Sequence, residues 1–202
     1  MQNTAKAMYS LNLEECVKLI LAVGNKRTVL LQGDMGNGKT SVLQMLAKAL
    51  PTHVPCYVDC TTKDLGDIMM PKFKADGEQD YVSFVPNEEF GIHHGKPLII
   101  MWEEWSKANQ SVKNGTLVTM LERTVGTKKL PEGSIQFATA NLGGEGVGDT
   151  IPPHARNRMI MLRARKSTSE ELIEYGINHE WEPSVLGFIR EFPQILQGFE
   201  DV

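Results

Sequence analysis

The sequence predicts a three-layer α/β fold, in which helices cover both faces of a parallel sheet. Three observations lead to this fold class. A glycine-rich turn at residues 33–41 joins a strand-length apolar run to a helical pattern. The run at residues 97–102 is almost continuously apolar, which is typical of a strand buried on both faces. Strand-like and helix-like segments also alternate along most of the chain, which favours parallel strands connected by helices.

Composition and charge indicate one globular domain with a small appendage. The chain has 202 residues, and 41% hydrophobic with 23% charged residues is ordinary for a soluble globular protein. The net charge of −4 provides no general attraction for nucleic acid, although it is compatible with a local basic patch. No apolar run reaches the roughly 20 residues that span a membrane, and the N-terminus lacks the apolar core of a signal peptide. We therefore expect a cytoplasmic protein without a membrane partner.

A helix is predicted to open the fold at Asn12, whose side chain can cap it, with Glu14 and Glu15 at its positive end. Gly24 ends this helix. Its apolar stripe consists of Leu13, Val17, Ile20 and Leu21.

The turn GDMGNGKTS at residues 33–41 fits the P-loop pattern G-x-x-x-x-G-K-[ST]. It lies between an apolar strand at residues 28–31 and a helix at residues 39–50. In that position backbone N–H groups and the helix N-terminus attract phosphate. Lys39 is expected to reach the β- and γ-phosphates, and Thr40 to bind Mg²⁺. The predicted nucleotide-contacting residues are Gly33, Met35, Gly36, Asn37, Gly38, Lys39, Thr40 and Ser41; the alternative is a chance glycine-rich turn.

The next segments are predicted as a strand at residues 53–59, a short helix or loop at 61–70, and a hairpin. The extended runs of the hairpin are residues 70–74 and 80–85, around a turn at 75–78 that projects from the domain. Cys56 and Cys60 are interpreted as core-filling thiols of a reduced protein, and a disulfide or metal role is the alternative.

Two carboxylates, Glu103 and Glu104, follow the buried strand at residues 97–102. Successive residues that leave a strand point in different directions, so the two can have different roles. We expect Glu103 to face a metal ion and Glu104 to polarise an attacking water. The alternative is a solvated acidic strand end.

A helix at residues 106–123, a small hairpin at 124–133 and a strand at 135–140 come next. Asn141, at the end of that strand, is expected to bond a γ-phosphate or the attacking water, although asparagine also favours turns. Residues 142–150 carry four glycines and are predicted as a mobile loop.

Pro152 and Pro153 can open a short helix before a fifth strand at residues 159–162. Arg156 and Arg158 lie in this segment, and positions two apart on a helix do not share a face. We therefore expect one of the two to point to a neighbouring subunit's nucleotide, where an arginine stabilises transition-state charge. A surface arginine is the alternative for either.

Residues 166–202 read as helical, with Ser167 or Thr168 as one cap and Pro183 opening a further helix. We predict a core at residues 1–165 and a partial helical lid at 166–202.

Taken together, these residues resemble the AAA+ ATPases, most of all their MoxR and dynein-related branch, over about residues 12–193. The Walker A motif of the family is matched by residues 33–40. Its Walker B motif is similar to LIIMWEE at residues 98–104, which is followed by WSKA, and its sensor 1 motif is similar to ATAN at residues 138–141. Arg158, or Arg156 as second choice, lies at the position of the arginine finger. Residues 70–85 are placed like the helix-2 insert, and residues 128–131 like the pre-sensor-1 hairpin.

The resemblance implies a P-loop NTPase sandwich with a five-stranded sheet in the order 5-1-4-3-2 and a short, incomplete lid. It also implies Mg²⁺-dependent ATP hydrolysis in a hexameric ring that remodels or chaperones a protein partner. A separate von Willebrand factor A-type protein is the expected partner. Two features depart from the family: Glu103 replaces the usual aspartate, and no motif for the sensor 2 arginine occurs, although Arg190 lies on a tail helix.

Three other functions stay open. Lys72, Lys74, Lys128 and Lys129 on the two hairpins suit a motor that acts on nucleic acid, which the acidic composition disfavours. The absence of a sensor 2 motif suits a non-hydrolysing assembly module. A small-molecule kinase is a further alternative, against which Asn141 and the arginine pair argue.

Overall fold

The computed structural model describes residues 10–73, 82–142, 151 and 153–196. The elements, in chain order, are β1 (Ser10–Leu11), α1 (Leu13–Val23), β2 (Val29–Gly33), α2 (Ser41–Ala49), β3 (Val54–Asp59), α3 (Leu65–Ile68), β4 (Met69–Lys72), β5 (Ser83–Pro86), β6 (Leu98–Glu103), α4 (Gln110–Glu122), β7 (Thr124–Val125), β8 (Lys128–Lys129), β9 (Ile135–Asn141), α5 (Pro153–Arg156), β10 (Ile160–Ala164), α6 (Ser169–Asn178) and α7 (Pro183–Glu191). Short 3-10 turns lie at Glu88–Phe90, Ile92–His94, Trp105–Lys107 and Pro193–Leu196.

A parallel sheet with the strand order β1-β10-β2-β9-β6-β3 forms the centre of the molecule. When β2, β3, β6, β9 and β10 are numbered one to five, this is the predicted order 5-1-4-3-2. The prediction is confirmed, with β1 as an additional edge strand. Ser10 and Leu11 pair with Arg163 and Ala164 of β10. Two residues are too few to produce a periodic pattern, so the sequence did not indicate β1.

Apolar side chains fill a core on each face of the sheet. Along β6, Ile99 and Met101 enter one core, while Ile100 and Trp102 enter the other, as the alternation of a strand requires. The first core contains residues of α1 and α2, and the second contains residues of α4. Helices on both faces therefore complete the predicted three layers.

Helix α1 begins at the predicted cap. The Asn12 side chain accepts a hydrogen bond from the backbone N–H of Glu15 at 2.9 Å, and the Glu15 carboxylate accepts one from the backbone N–H of Asn12 at 2.9 Å. Two N–H groups that the helix itself leaves without a partner are thus satisfied at once.

Two antiparallel hairpins, β4–β5 and β7–β8, form small sheets separate from the central one and are joined to each other. The backbone N–H and the hydroxyl of Thr127 both donate to the carbonyl of Phe84, at 2.9 and 3.0 Å. Gly126 has a φ of +56°, and a Cβ there would lie 2.3 Å from the Phe84 carbonyl oxygen. The predicted turn at residues 75–78, Lys74 and residues 143–150 of the predicted loop lie outside the described residues.

The helix predicted at residues 106–123 is divided in two. A 3-10 turn, Trp105–Lys107, precedes α4. The division occurs at Asn109, whose side chain accepts a hydrogen bond from the backbone N–H of Val112 at 2.9 Å. Because this cap starts a new helix, the preceding residues do not continue it.

All three cysteines of the chain are buried and free. Cys56 and Cys60 lie in the same core, and burial raises the pKa of each thiol to about 12. These contacts agree with their interpretation as core-filling residues and provide no disulfide.

After β10, α6 begins at Thr168, which forms a capping box with Glu171. Pro183 stands in the first turn of α7, as predicted. Whether residues 166–202 form a separate lid stays a prediction. Among the helices of the described residues, none has the length and apolar character needed to cross a membrane.

Candidate nucleotide-binding site

The P-loop is a turn between β2 and α2, and two of its glycines adopt backbone conformations that favour glycine. Gly36 has a φ of +73° and Gly38 a φ of +70°, which side chains with a Cβ rarely adopt. The hydroxyl of Ser41 donates to the Gly38 carbonyl at 2.7 Å. The turn therefore has the strand–loop–helix context that a phosphate-binding loop requires.

Lys39 is buried at the base of this loop, with 7% of its surface exposed. Its ammonium donates to the carbonyls of Gly33 and Asp34 at 2.9 and 2.7 Å. Burial lowers the pKa of Lys39, while nearby carboxylates, Glu103 most strongly, act in the opposite direction. The cation is held by the loop's own carbonyls and lines the cleft that the loop encloses.

The register of the sheet brings three strand ends together. Gly33 of β2 pairs with Asn141 of β9, and Trp102 of β6 pairs with Ala138 of β9. Strand β9 thus lies between the P-loop strand and the strand that ends in Glu103. Parallel strands place these carboxyl-terminal ends at one edge of the sheet, where ligands of such folds bind.

Glu103 and Thr40 meet on the wall of the cleft. The Thr40 hydroxyl donates to Oε1 of Glu103 at 3.3 Å. Within the described residues, the buried Oε2 of Glu103 has no hydrogen-bond partner. Burial raises the pKa of this carboxyl, while the neighbouring Thr139 and Thr40 hydroxyls and Lys39 act in the opposite direction.

This pair fits a magnesium ion bound together with phosphates. Mg²⁺ prefers oxygen ligands and is often held by one or two carboxylates plus substrate phosphates. A cation beside the half-buried Glu103 carboxylate would favour the charged form of this carboxyl and would bind the oxygen that has no hydrogen-bond partner. In the described part of the chain, no group of three or more His, Cys, Asp or Glu side chains could hold a metal ion.

Glu104 leaves the strand in a strained backbone conformation, with φ +47° and ψ +37°. Its backbone N–H donates to the Thr139 hydroxyl at 2.9 Å. Its carboxylate lies 3.2 Å from the ammonium of Lys107. The two neighbouring carboxylates therefore have different partners, Thr40 for Glu103 and Lys107 for Glu104.

The side chain of Asn141 is 5% exposed, and its Nδ2 has no hydrogen-bond partner within the described residues. A buried amide without a hydrogen-bond partner lowers the stability of the fold unless a ligand or water supplies the missing hydrogen bond. Asn141 therefore offers a free donor to whatever occupies the cleft.

The cleft has a volume of about 340 Å³. It is lined by Met35, Gly36, Asn37, Gly38, Lys39, Thr40, Glu103, Glu104 and Asn141. Gly33 and Ser41, also predicted to contact nucleotide, are not part of the lining. Gly33 contributes its carbonyl to Lys39, and the Ser41 hydroxyl turns back to its own loop.

Arg156 and Arg158 lie away from this cleft, and both are exposed. Arg158 precedes β10, whose Ile160 pairs with Val29 at the start of β2. The P-loop follows the other end of β2, roughly 13 Å further along a strand of this length. The Arg156 side chain donates to the Ile151 carbonyl at 3.2 Å. Neither arginine therefore joins the chain's own site.

Sequence reasoning missed two residues that contact Glu104. The sequence assigns Thr139 to a strand and to the sensor 1 pattern without predicting a contact with Glu104, although Thr139 lies two residues before Asn141 and so on the same face of β9. Lys107 was noted only as part of a family pattern. The signal that could have identified it is its position three residues after Glu104, which brings side chains together in a 3-10 turn.

The fold is that of the P-loop NTPases, an α/β sandwich with a mostly parallel sheet, and the cleft lies at the ends of its strands. Two solved structures have the same fold. One is a crystal structure of a protein from Cytophaga hutchinsonii, provisionally described as an ATPase, with a TM-score of 0.58 and 16% identity. It is matched over 83% of this chain and 50% of the other.

The other is a closed-state cryo-EM reconstruction of Hsp104 with ATPγS and FITC-casein. Its TM-score is 0.57 at 15% identity, over 76% of this chain and 31% of the other. This chain thus spans half or less of the length of each neighbour. No protein-family description and no curated protein matches the sequence. At this identity the likeness to both neighbours concerns the fold alone.

Proposed function

We propose that this chain is a Mg²⁺-dependent ATPase of the AAA+ type, in the MoxR-like branch. The observation that carries the proposal is the convergence of Lys39, Thr40, Glu103, Glu104 and Asn141 on one cleft. Lys39 and the P-loop backbone would bind the phosphates, and Thr40 with Glu103 would hold Mg²⁺. The bound ion would neutralise charge on the phosphates.

In this proposal Glu104 acts as the base that orients the attacking water, and Asn141 donates its free N–H to the γ-phosphate or that water. Arg158, or Arg156 as second choice, acts in a neighbouring subunit of a hexameric ring. Its distance from the chain's own P-loop supports a role across a subunit boundary.

We further propose that the ring remodels or chaperones a separate protein partner, of the von Willebrand factor A type. The Hsp104 neighbour was captured with casein, which supports a protein as the substrate class. The three free thiols are compatible with a reducing compartment and support a cytoplasmic location.

Two experiments test the proposed function. The wild-type protein should hydrolyse ATP in the presence of Mg²⁺, and hydrolysis should stop when EDTA removes the metal. Pull-down with Glu104→Gln under ATP should capture the partner. ATP binding without turnover would favour a non-hydrolysing assembly module.

A nucleic-acid motor is the second candidate. It is supported by the exposed Lys72, Lys128 and Lys129 on the two joined hairpins. If this candidate is correct, single-stranded DNA or RNA will stimulate ATP hydrolysis in a salt-sensitive manner, and Lys128→Glu with Lys129→Glu will abolish the stimulation. We expect no stimulation.

A further inference from the structure

The turn after β6 places a lysine directly over a glutamate. Glu104 precedes the 3-10 turn Trp105–Lys107, and the backbone N–H of Lys107 donates to the Glu104 carbonyl at 2.9 Å. Side chains three residues apart lie over one another in such a turn. The Lys107 ammonium is accordingly 3.2 Å from Oε2 of Glu104.

This turn is anchored in the core, so the lysine is presented from a fixed support. Trp105 is 1% exposed, and its indole N–H donates to the Thr116 hydroxyl at 2.8 Å. That hydroxyl in turn donates to the Val112 carbonyl at 2.6 Å. The turn is thereby tied to α4, and the pair of charges has little freedom to shift along the strand end.

The pair lies at the cleft and not on a remote surface. Glu104 lines the cleft, and the charge of Lys107 acts on Lys39 of the P-loop, where it favours a lower pKa. Both side chains of the pair are about one third exposed, at 35% and 33%. An ion pair of that exposure contributes little to stability. Its consequence is therefore the orientation of the Glu104 carboxylate.

We infer that Lys107 is a positioning residue, which holds the Glu104 carboxylate in the direction from which it orients the attacking water. This inference rests on the proposed ATPase function. Lys107 itself contacts neither the nucleotide nor the water. The pairing fixes one oxygen of Glu104 and leaves the other for the water, so loss of the lysine affects turnover and not nucleotide binding.

The test compares Lys107→Met, Lys107→Arg, Glu104→Gln and the double variant Glu104→Gln with Lys107→Met. Lys107→Met should lower kcat at least about tenfold, because small misplacements of a catalytic group cost that much or more. Its ATP dissociation constant, measured by calorimetry, should stay within about twofold of wild type. Lys107→Arg should restore most of the turnover, since it retains the charge. In the Glu104→Gln background, loss of Lys107 should have no further effect, because the carboxylate is gone.

Lys63→Met is the matched control, since it removes an exposed lysine paired with Glu89 at 2.7 Å outside the cleft. It should leave kcat unchanged, and melting temperatures check that every variant folds. The inference fails if wild type turns over ATP and Lys107→Met does so equally fast or faster. It also fails if ATP binding weakens in parallel with turnover, or if the losses of Glu104 and Lys107 add. A wild type that hydrolyses no ATP with Mg²⁺ overturns the proposed function itself.

Discussion

The hydroxyl of Thr139 accepts a hydrogen bond of 2.9 Å from the backbone N–H of Glu104, and this bond joins the ends of β6 and β9. Thr139 is fully buried. Glu104 has a left-handed backbone conformation that few residues other than glycine adopt. The hydrogen bond therefore helps to hold a strained residue in place at the candidate site.

Thr139→Val should remove this hydrogen bond while preserving the shape of the side chain. The partly buried N–H of Glu104 then lacks this partner, which costs about 1 kcal/mol of unfolding free energy. Turnover should fall at least about tenfold, because the carboxylate loses its orientation. Denaturant unfolding and steady-state kinetics measure both effects. Thr139→Ser, which retains the hydroxyl, is the control, and equal losses in Ser and Val variants would contradict the prediction.

Lys39→Ala should weaken ATP binding by about tenfold or more, which is at least about 1.4 kcal/mol. The variant removes the ammonium that lines the cleft and donates to the Gly33 carbonyl at 2.9 Å. Calorimetric titration with ATP measures the loss. An unchanged affinity would refute the assignment of the loop.

The two glutamates should separate in their effects. Glu104→Gln should bind ATP normally and hydrolyse it at least about a hundredfold more slowly, within the usual range for a general base. Glu103→Gln should instead raise the Mg²⁺ concentration needed for half-maximal turnover, because it weakens the ligand beside Thr40. Magnesium titrations of both variants measure this. Normal turnover by Glu104→Gln together with an inactive Glu103→Gln would reverse the assignment.

Arg158→Ala should bind ATP and barely hydrolyse it, because the arginine lies too far from its own P-loop to act within one chain. Mixing this variant with Lys39→Ala should restore some activity. In mixed rings an intact P-loop of one chain meets an intact arginine of the other. Hydrolysis per subunit should also rise with protein concentration.

Arg27→Ala serves as the control for Arg158→Ala, since it removes an exposed arginine before β2, at the same edge of the sheet. It should leave turnover unchanged. Arg156→Ala tests the second choice in the same mixing experiment. If turnover per subunit is constant from low to high protein concentration and no mixture gains activity, the arginines act within their own chain or not at all.

Glu171 should make stability depend on pH below neutrality. Hydrogen bonds from Arg165 above all, and also from Thr168 and Asn12, lower the pKa of Glu171 from 4.5 to about 2. A lowered pKa means that the ionised carboxylate stabilises the fold. This contribution is complete above about pH 4.5 and is lost as the pH falls through about 2.

Glu171→Gln should therefore lower the unfolding free energy by about 1 kcal/mol at pH 7, as expected for a partly exposed ion pair that also caps a helix. The difference from wild type should shrink as the pH falls from 4.5 towards 2. Melting temperatures across this range measure the difference. Glu170→Gln, in the same helical turn, is the control. A difference that does not change with pH would contradict the prediction.

The sequence by itself determined the elements that short-range patterns encode. The P-loop, the Asn12 cap and the buried strand β6 are each set by residues within about one turn of helix or one strand, so their spacing reveals them. The order of the five main strands was available through the family resemblance and is confirmed. The edge strand β1 was not predicted, because two residues are too few to show a periodic pattern.

Only the tertiary structure decided how the site residues meet. Glu104 and Thr139 are 35 positions apart in the chain, and their contact depends on the pairing of β6 with β9. The lack of a hydrogen-bond partner for Nδ2 of Asn141 likewise depends on which described residues pack around this side chain. The spacing of three allows Glu104 to meet Lys107, but the left-handed backbone at Glu104 and the 3-10 turn after it set the direction of the two side chains. Contacts of this kind depend on strand register and side-chain direction, which a sequence pattern does not specify.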